Sequence, residues 1–128
     1  MLAIPTQART LKLWISGRVV PKARPRFYEG HALLPKNYRG WKNAAYLEII
    51  NQLAEHNIIK IPIQKAAVEI QLVGKHIGDL DNLGGSVLDI LTETKVIIDD
   101  RVSCVSRLVI EHQPSGDHGV WVEVKSLL

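Results

Sequence analysis

The chain has 128 residues, 46% of them apolar and 23% charged, with a formal net charge of +3. This is the balance of one globular domain rather than of a disordered tail, a collagen-like repeat or a disulfide scaffold. Cys104 is the only cysteine, which excludes an internal disulfide and a cysteine-rich zinc site. No apolar run approaches the ~18–20 residues of a membrane span, and the first residues carry no apolar core of signal-peptide length. A cytoplasmic protein with no membrane partner is expected.

Residues 1–10 are expected to form a flexible arm and 11–128 a single domain. Leu11 to Ser16 largely alternates apolar and polar residues and predicts a strand that ends at Gly17. In the following segment Pro21 and Pro25 forbid a helix. Phe27-Tyr28 and His31–Leu34 flank Glu29-Gly30 as a short hairpin. Pro35 to Asn57 predicts a helix, because Tyr38, Trp41, Ala45, Leu47 or Glu48, Ile49 and Leu53 recur close to a 3.6-residue period. Ala66 to Val73 alternates again and predicts a strand. A second helix starts after Gly78, with Asp81 or Asn82 as its cap and Leu83, Val87, Leu88 and Leu91 on its apolar face. A last pair of strands, Cys104–Gln113 and Val120–Lys125, is joined by the turn Pro114–Asp117. The expected fold class is therefore α+β: one domain in the order β-(hairpin)-α-β-α-β-β, with a mixed sheet and two helices on one face. Trp14, Trp121 and Cys104 are expected in the core, whereas Trp41 fits the core or a second subunit equally well. The five histidines show no metal-ligand spacing, and only His76, three residues before Asp79, lies close to a group of interest.

Charge is unevenly spread. Residues 1–42 carry nine Lys or Arg against the single acid Glu29, whereas 43–128 carry seven bases against twelve acids. Six of those acids fall between 79 and 100, with Lys95 the only base among them. A basic arm beside an acidic cluster suits a protein that holds both a polyanion and a cation; mutual neutralisation of the two halves across the folded surface is the plain alternative.

The cation reading rests on Gly78-Asp79-Leu80-Asp81-Asn82-Leu83-Gly84-Gly85 and on Asp99-Asp100. In an extended segment, Asp79 and Asp81 would point to one side, where two carboxylates repel unless a proton or a cation separates them. Oxygen ligands alone favour Mg²⁺ or Mn²⁺ over zinc. The plain alternative makes Asp81 a helix cap and Asp99-Asp100 a turn. A calcium loop counted from Asp79 fails, because its twelfth position is Ile90 rather than a bidentate Glu. Lys22, Arg24 and Arg26, next to Phe27 and Tyr28, form a basic stretch suited to phosphates and exposed bases. Arg39 and Lys42 extend that surface along the first helix.

GDLDNL, then Asp89 seven positions after Asn82, then IIDDRV, resembles the signature of the RusA family of Holliday-junction resolvases, D-x-D-N-x-x-K-x-x-x-D-x-L followed by D-D-x-x-V. PKARPRF and PKNYRGWK resemble the family's basic entry and first-helix start, so the likeness runs from about Leu11 to Lys125. It implies a homodimeric, Mg²⁺-dependent endodeoxyribonuclease (Mn²⁺ serving as an alternative ion) that resolves four-way DNA junctions by paired nicks in recombination and repair. By position, it makes Asp79, Asp81 and Asp100 the catalytic metal ligands. Asn82, Asp89, Asp99 and Lys75 become supporting residues, and Lys22, Arg24, Arg26, Arg39, Lys42 and Arg101 DNA contacts.

The chain departs from the pattern at Gly85, where the family has a lysine. Three explanations stand open. Another base, Lys75, Lys22 or Arg101, takes its place; or the metal acts alone; or the protein binds junctions without cutting them. Gly84 and Gly85 together would leave the helix backbone open to DNA or to a partner helix. A phosphodiesterase acting on RNA or flaps is a further alternative.

Overall fold

The computed structural model describes residues 9–22, 26–28, 31–33, 36–56 and 59–128. In chain order the elements are β1 (Thr10–Ser16), β2 (Arg26–Tyr28), β3 (His31–Leu33), α1 (Lys36–His56), β4 (Ala66–Val73), α2 (Leu80–Glu93), β5 (Val105–Gln113) and β6 (Gly119–Ser126). The α+β class, the two helices and the mixed sheet agree with the sequence. The expected hairpin is the antiparallel pair β2–β3, with Tyr28 opposite His31; its turn residues Glu29 and Gly30 lie outside the described residues, as do residues 1–8 of the expected arm. Thr10 already pairs with Lys125 in the sheet.

The main sheet runs β1-β6-β4-β5. β6 is antiparallel to both β1 and β4, and β4 is parallel to β5. The last two strands are therefore not paired with each other. β5 follows α2 as the far strand of a β-α-β crossover, and the chain then crosses β4 to place β6 on its other side. The Pro114–Asp117 segment spans that gap instead of turning a hairpin. Cys104 falls in the turn before β5 and is half-buried rather than a strand residue of the core.

Alternation assigns one sheet face to the interior. Leu11, Leu13 and Ile15 of β1, Val68, Ile70 and Leu72 of β4, and Val120, Val122 and Val124 of β6 are all buried in one cluster. Tyr38, Trp41, Ala45 and Ile49 of α1 and Leu83, Val87, Ile90 and Leu91 of α2 close the same cluster, so both helices cover this one face. Each such side chain contributes about 1.5–3 kcal/mol of burial. The opposite face is open. Trp14 and Trp121 sit there as a tilted pair with ring centroids 4.8 Å apart, and Trp121 remains 40% exposed. The core expectation fails for these two, because positions 12, 14 and 121 share the pleat that faces away from the helices; Lys12 lies over the Trp121 ring at 4.8 Å. Trp41 is in the core and stacks on Tyr38.

β1 is an edge strand, and an unpaired edge invites association. Here α1 covers it. Gln52 Oε1 accepts from Trp14 N–H at 2.8 Å and Gln52 Nε2 donates to Trp14 O at 2.7 Å. Glu48 accepts from Ser16 N–H and Oγ–H at 2.8 and 2.9 Å. Of the two residues the helical period left open, Glu48 therefore faces the sheet, and Leu47 is 64% exposed. At the other end of the sheet, α2 packs close to β5: a Cβ built on Gly84 would overlap Ile110 Cδ1. The occupant of that gap is the sheet, not DNA or a partner helix. α2 ends in a Schellman arrangement, with Lys95 N–H on Thr92 O and Val96 N–H on Leu91 O, and Lys95 takes the left-handed conformation (φ 63°) usual for glycine.

Candidate functional site

The site is built where β4 ends and α2 begins. After Val73 the chain turns at Gly74 and reaches His76. Its Nδ1 accepts from Val19 N–H at 3.2 Å, which leaves the Nε2 proton for the carbonyls of Val73 and Gly119 at 2.9 and 3.0 Å. His76 thus staples the loop after β1 to the ends of β4 and β6. Gly78 follows at φ 132°, and a Cβ there would stand 3.0 Å from Pro21 Cγ. Positive φ and the close proline both call for glycine at this position.

Asp79 holds the N-cap position of α2 in extended backbone, and its carbonyl accepts from Leu83 N–H at 3.0 Å. Its side chain makes no cap bond. Asp81 lies inside the first turn, where its negative charge meets the positive end of the helix, and its Oδ1 accepts from Asn82 N–H at 2.9 Å. Neither Asp81 nor Asn82 is the cap. Asp79 and Asp81 do not share one extended segment, because helical backbone begins between them at Leu80. Asp79, Asp81 and Asn82 are all exposed.

Further along α2, Ser86 Oγ donates to Val20 O at 2.6 Å, tying the same 17–22 loop to the helix. Lys22 then lies across α2, its Cδ 4.0 Å from where a Gly85 Cβ would be, with Nζ 3.9 Å from Asp89 Oδ1. Asp89 is the centre of a half-buried network. Its Oδ2 accepts from Tyr38 O–H at 2.8 Å and faces Lys42 Nζ at 3.1 Å, and Lys42 also pairs with Glu93. Burial pushes the Asp89 carboxyl up, but the Tyr38 hydroxyl, Lys42 and Lys22 outweigh it and hold it below the usual carboxylate range. Burial pulls Lys42 down, and its bonds to Glu93 and Asp89 more than reverse this. Burial and the neighbouring Asp89 push Tyr38 well above an ordinary tyrosine.

The second acidic segment is anchored by a bridge between Ile63 and Ile97. Asp99 Oδ1 accepts from Asp100 N–H at 2.7 Å, and its Oδ2 pairs with Arg101 at 2.7 Å. The Asp100 N–H and, after it, the arginine hold Asp99 below the usual carboxylate range despite some desolvation. Asp100 is exposed.

The structure places the expected residues as follows. Asp79, Asp81 and Asn82 share the start of α2, and Asp99, Asp100 and Arg101 share the approach to β5. Among the described residues, no group of three or more His, Cys, Asp or Glu side chains converges on one point as a ready-made metal cage. Lys75 and Arg39 are exposed. The side chain of Lys42, only 12% exposed, is held between two acids rather than offered to solvent. Arg26 lies on β2 opposite Leu33, and Arg24 lies outside the described residues. Sequence reasoning did not anticipate Tyr38, Ser86, Glu93 or the staple made by His76. Only Tyr38 and Lys42 carried a readable signal: their i, i+4 spacing puts them on one helix face, which explains the cation–π contact at 5.4 Å.

Fold and site together define a small α+β protein with exposed carboxylates at one helix start and a basic loop tied beside them. Residues 16–125 match the family model described as endodeoxyribonuclease RusA. The chain belongs to the RusA family, whose general activity is endonucleolytic resolution of Holliday junctions. No curated relative matches the chain. No helix among the described residues is long and apolar enough to cross a membrane.

Proposed function

We propose that this chain is itself an active, divalent-metal-dependent junction endonuclease, with Asp79, Asp81 and Asp100 as the ligands of Mg²⁺ or Mn²⁺. The observation that carries this reading is the state of the α2 start. Asp79 occupies the cap position without capping, and neither Asp79 nor Asp81 has an ion-pair partner among the described residues. Two exposed carboxylates left unpaired beside a tightly tied basic loop suit a cation and a phosphate better than they suit stability.

The donor set fits Mg²⁺. All its atoms are carboxylate oxygens, and this ion is usually held by one or two carboxylates plus water and substrate phosphate oxygens rather than by an all-protein cage. When bound, the ion would lower the pKa of a water and offset charge on the phosphate. The overall step is hydrolysis: the water oxygen bonds to phosphorus, the bond to the 3′ oxygen breaks, and that oxygen takes up a proton. Asp99 holds Arg101 beside Asp100, and Arg101, Arg39, Lys75 and the Arg24–Arg26 stretch supply phosphate contacts. Lys42 serves instead to orient Asp89. Paired nicks in opposing strands call for two copies of the site, hence a homodimer acting on branched DNA. This role belongs in the cytoplasm.

The test is cleavage of an end-labelled four-way junction beside linear duplex of the same sequence, in Mg²⁺, Mn²⁺ or EDTA. Symmetric nicks in the junction alone, absent in EDTA, are expected. Binding without cutting under every ion would make the chain a junction-binding relative, one of the three outcomes that the departure at Gly85 leaves open. Equal cutting of duplex or RNA would make it a phosphodiesterase of broader substrate range.

A further inference from the structure

We propose that Lys22 is the phosphate-facing cation of this nuclease, delivered from the loop after β1 onto the bare Gly85 turn of α2, and that Asp89 is its positioning residue. The inference rests on the nuclease reading above and assigns a role within that same site.

Three separate ties hold the Lys22 loop against the segment that carries the aspartates. Val19 N–H is bound by His76, Pro21 packs on Gly78, and Val20 O accepts from Ser86. These contacts flank Asp79 and Asp81 on both sides, so the backbone that carries Lys22 is registered to the α2 start. Positions 81, 85 and 89 share one face of α2, at i, i+4 and i+8. The Lys22 stem crosses that face at its middle, roughly one helical pitch of ~5.4 Å from the Asp81 turn, and its ammonium extends toward Asp89.

Gly85 leaves this crossing unobstructed: a Cβ there would stand 4.0 Å from Lys22 Cδ, an ordinary contact, so the stem lies against the bare turn with room to spare. A long side chain on the helix at this point would contend for the same space. The neighbouring glycine is different, since Gly84 is filled from the sheet side by Ile110.

Lys22 also keeps its charge available beside this turn. Its side chain is 49% exposed, and its single ion pair among the described residues, with Asp89 at 3.9 Å, is beyond hydrogen-bond length. The ammonium therefore keeps its three N–H donors for another anion. Lys42 is enclosed by Asp89 and Glu93, and Arg101 is bound to Asp99. Asp89 commits Oδ2 to Tyr38 and Lys42 and turns Oδ1 toward Lys22, which steers the ammonium without neutralising it through a close contact. A fixed ammonium here offsets charge that grows on the phosphate oxygens during hydrolysis.

The experiment measures single-turnover cleavage of a four-way junction in Mg²⁺ and junction affinity in EDTA, for wild type, Lys22→Met, Lys22→Arg, and Lys22→Met combined with Gly85→Lys. Lys22→Met is expected to slow cleavage roughly a hundredfold or more while affinity falls less than about tenfold. Lys22→Arg and the double variant, which returns the charge from the helix side, are expected to recover to within about tenfold of wild type. Asp89→Asn should slow the wild type but add nothing in the Lys22→Met background, the non-additivity of two residues acting as one unit. Lys22→Met cutting at the wild-type rate would overturn this assignment alone. A loss that neither Lys22→Arg nor the double variant restores would make Lys22 a structural prop and overturn it as well. A wild type that cuts nothing overturns the nuclease reading, and this assignment with it.

Discussion

Replacing Asp89 by Asn isolates the charge at the centre of the α1–α2 network. Asn keeps the size and can still accept from Tyr38, whose hydroxyl lies 2.8 Å from Asp89. What disappears is the anion facing Lys42 at 3.1 Å, where the lysine is 12% and the aspartate 26% exposed. A hydrogen bond to a charged group contributes about 1.5–3 kcal/mol, and Glu93 continues to partner Lys42, so the expected loss is about 2 kcal/mol. Lys22 adds little to this figure, because a half-exposed pair at 3.9 Å is largely screened. For a domain of this size, the loss corresponds to roughly 8 °C in Tm.

The dependence on pH has a definite sign. Asp89 titrates below its unfolded value of about 3.9, so its contribution is present above that pH and fades as pH falls through the folded value. Lys42 titrates above its unfolded value, so its contribution is present below about 10.4 and fades as pH rises through the folded value. Urea denaturation should therefore show the full gap between wild type and Asp89→Asn at pH 7, and a gap that closes in acid. Equal stability at pH 7, or a gap undiminished once Asp89 is protonated in both folded and unfolded chains, would refute this account of the network.

The two adjacent glycines of α2 should respond in opposite directions to alanine. Gly84→Ala meets Ile110 and should destabilise by about 1–3 kcal/mol, whereas Gly85→Ala meets only ordinary contact with Lys22 and should stabilise by up to about 1 kcal/mol; chemical denaturation distinguishes them. Gln52→Ala strips both partners from Trp14 on the β1 edge and should cost about 1–2 kcal/mol, with faster hydrogen exchange at the Trp14 amide as the local readout. Lys95→Gly relieves a left-handed lysine at the α2 C-terminus and should raise stability by about 1 kcal/mol, seen as a higher urea midpoint with an unchanged slope.

Periodicity made the elements legible, because alternation in β1 and β4 and the Tyr38, Trp41, Ala45, Ile49 spacing of α1 record which side chains meet the core. It did not record which strand lies beside which. β5 and β6 read as a hairpin, yet β4 stands between them, since neighbours in a sheet depend on where α2 delivers the chain. Trp14 and Trp121 misled because large aromatic residues are usually buried, while their register puts them on the face that no helix covers. At the site, aspartate spacing and the departure at Gly85 were visible in the residues. The ties that give them meaning, His76 to Val19 and Ser86 to Val20, join a side chain to a distant backbone atom. Such bonds place no demand on residue type at the backbone end, and so leave no pattern there to read.

The most direct test of the central claim compares wild type with Asp81→Asn on one labelled four-way junction, following cleavage in Mg²⁺ and binding in EDTA. If the α2 carboxylates hold the ion that hydrolysis requires, cleavage disappears in the variant. Binding stays intact or tightens, because one negative charge has left a surface that faces phosphate. Cleavage by Asp81→Asn at the wild-type rate would contradict the assignment of this helix start as the metal site.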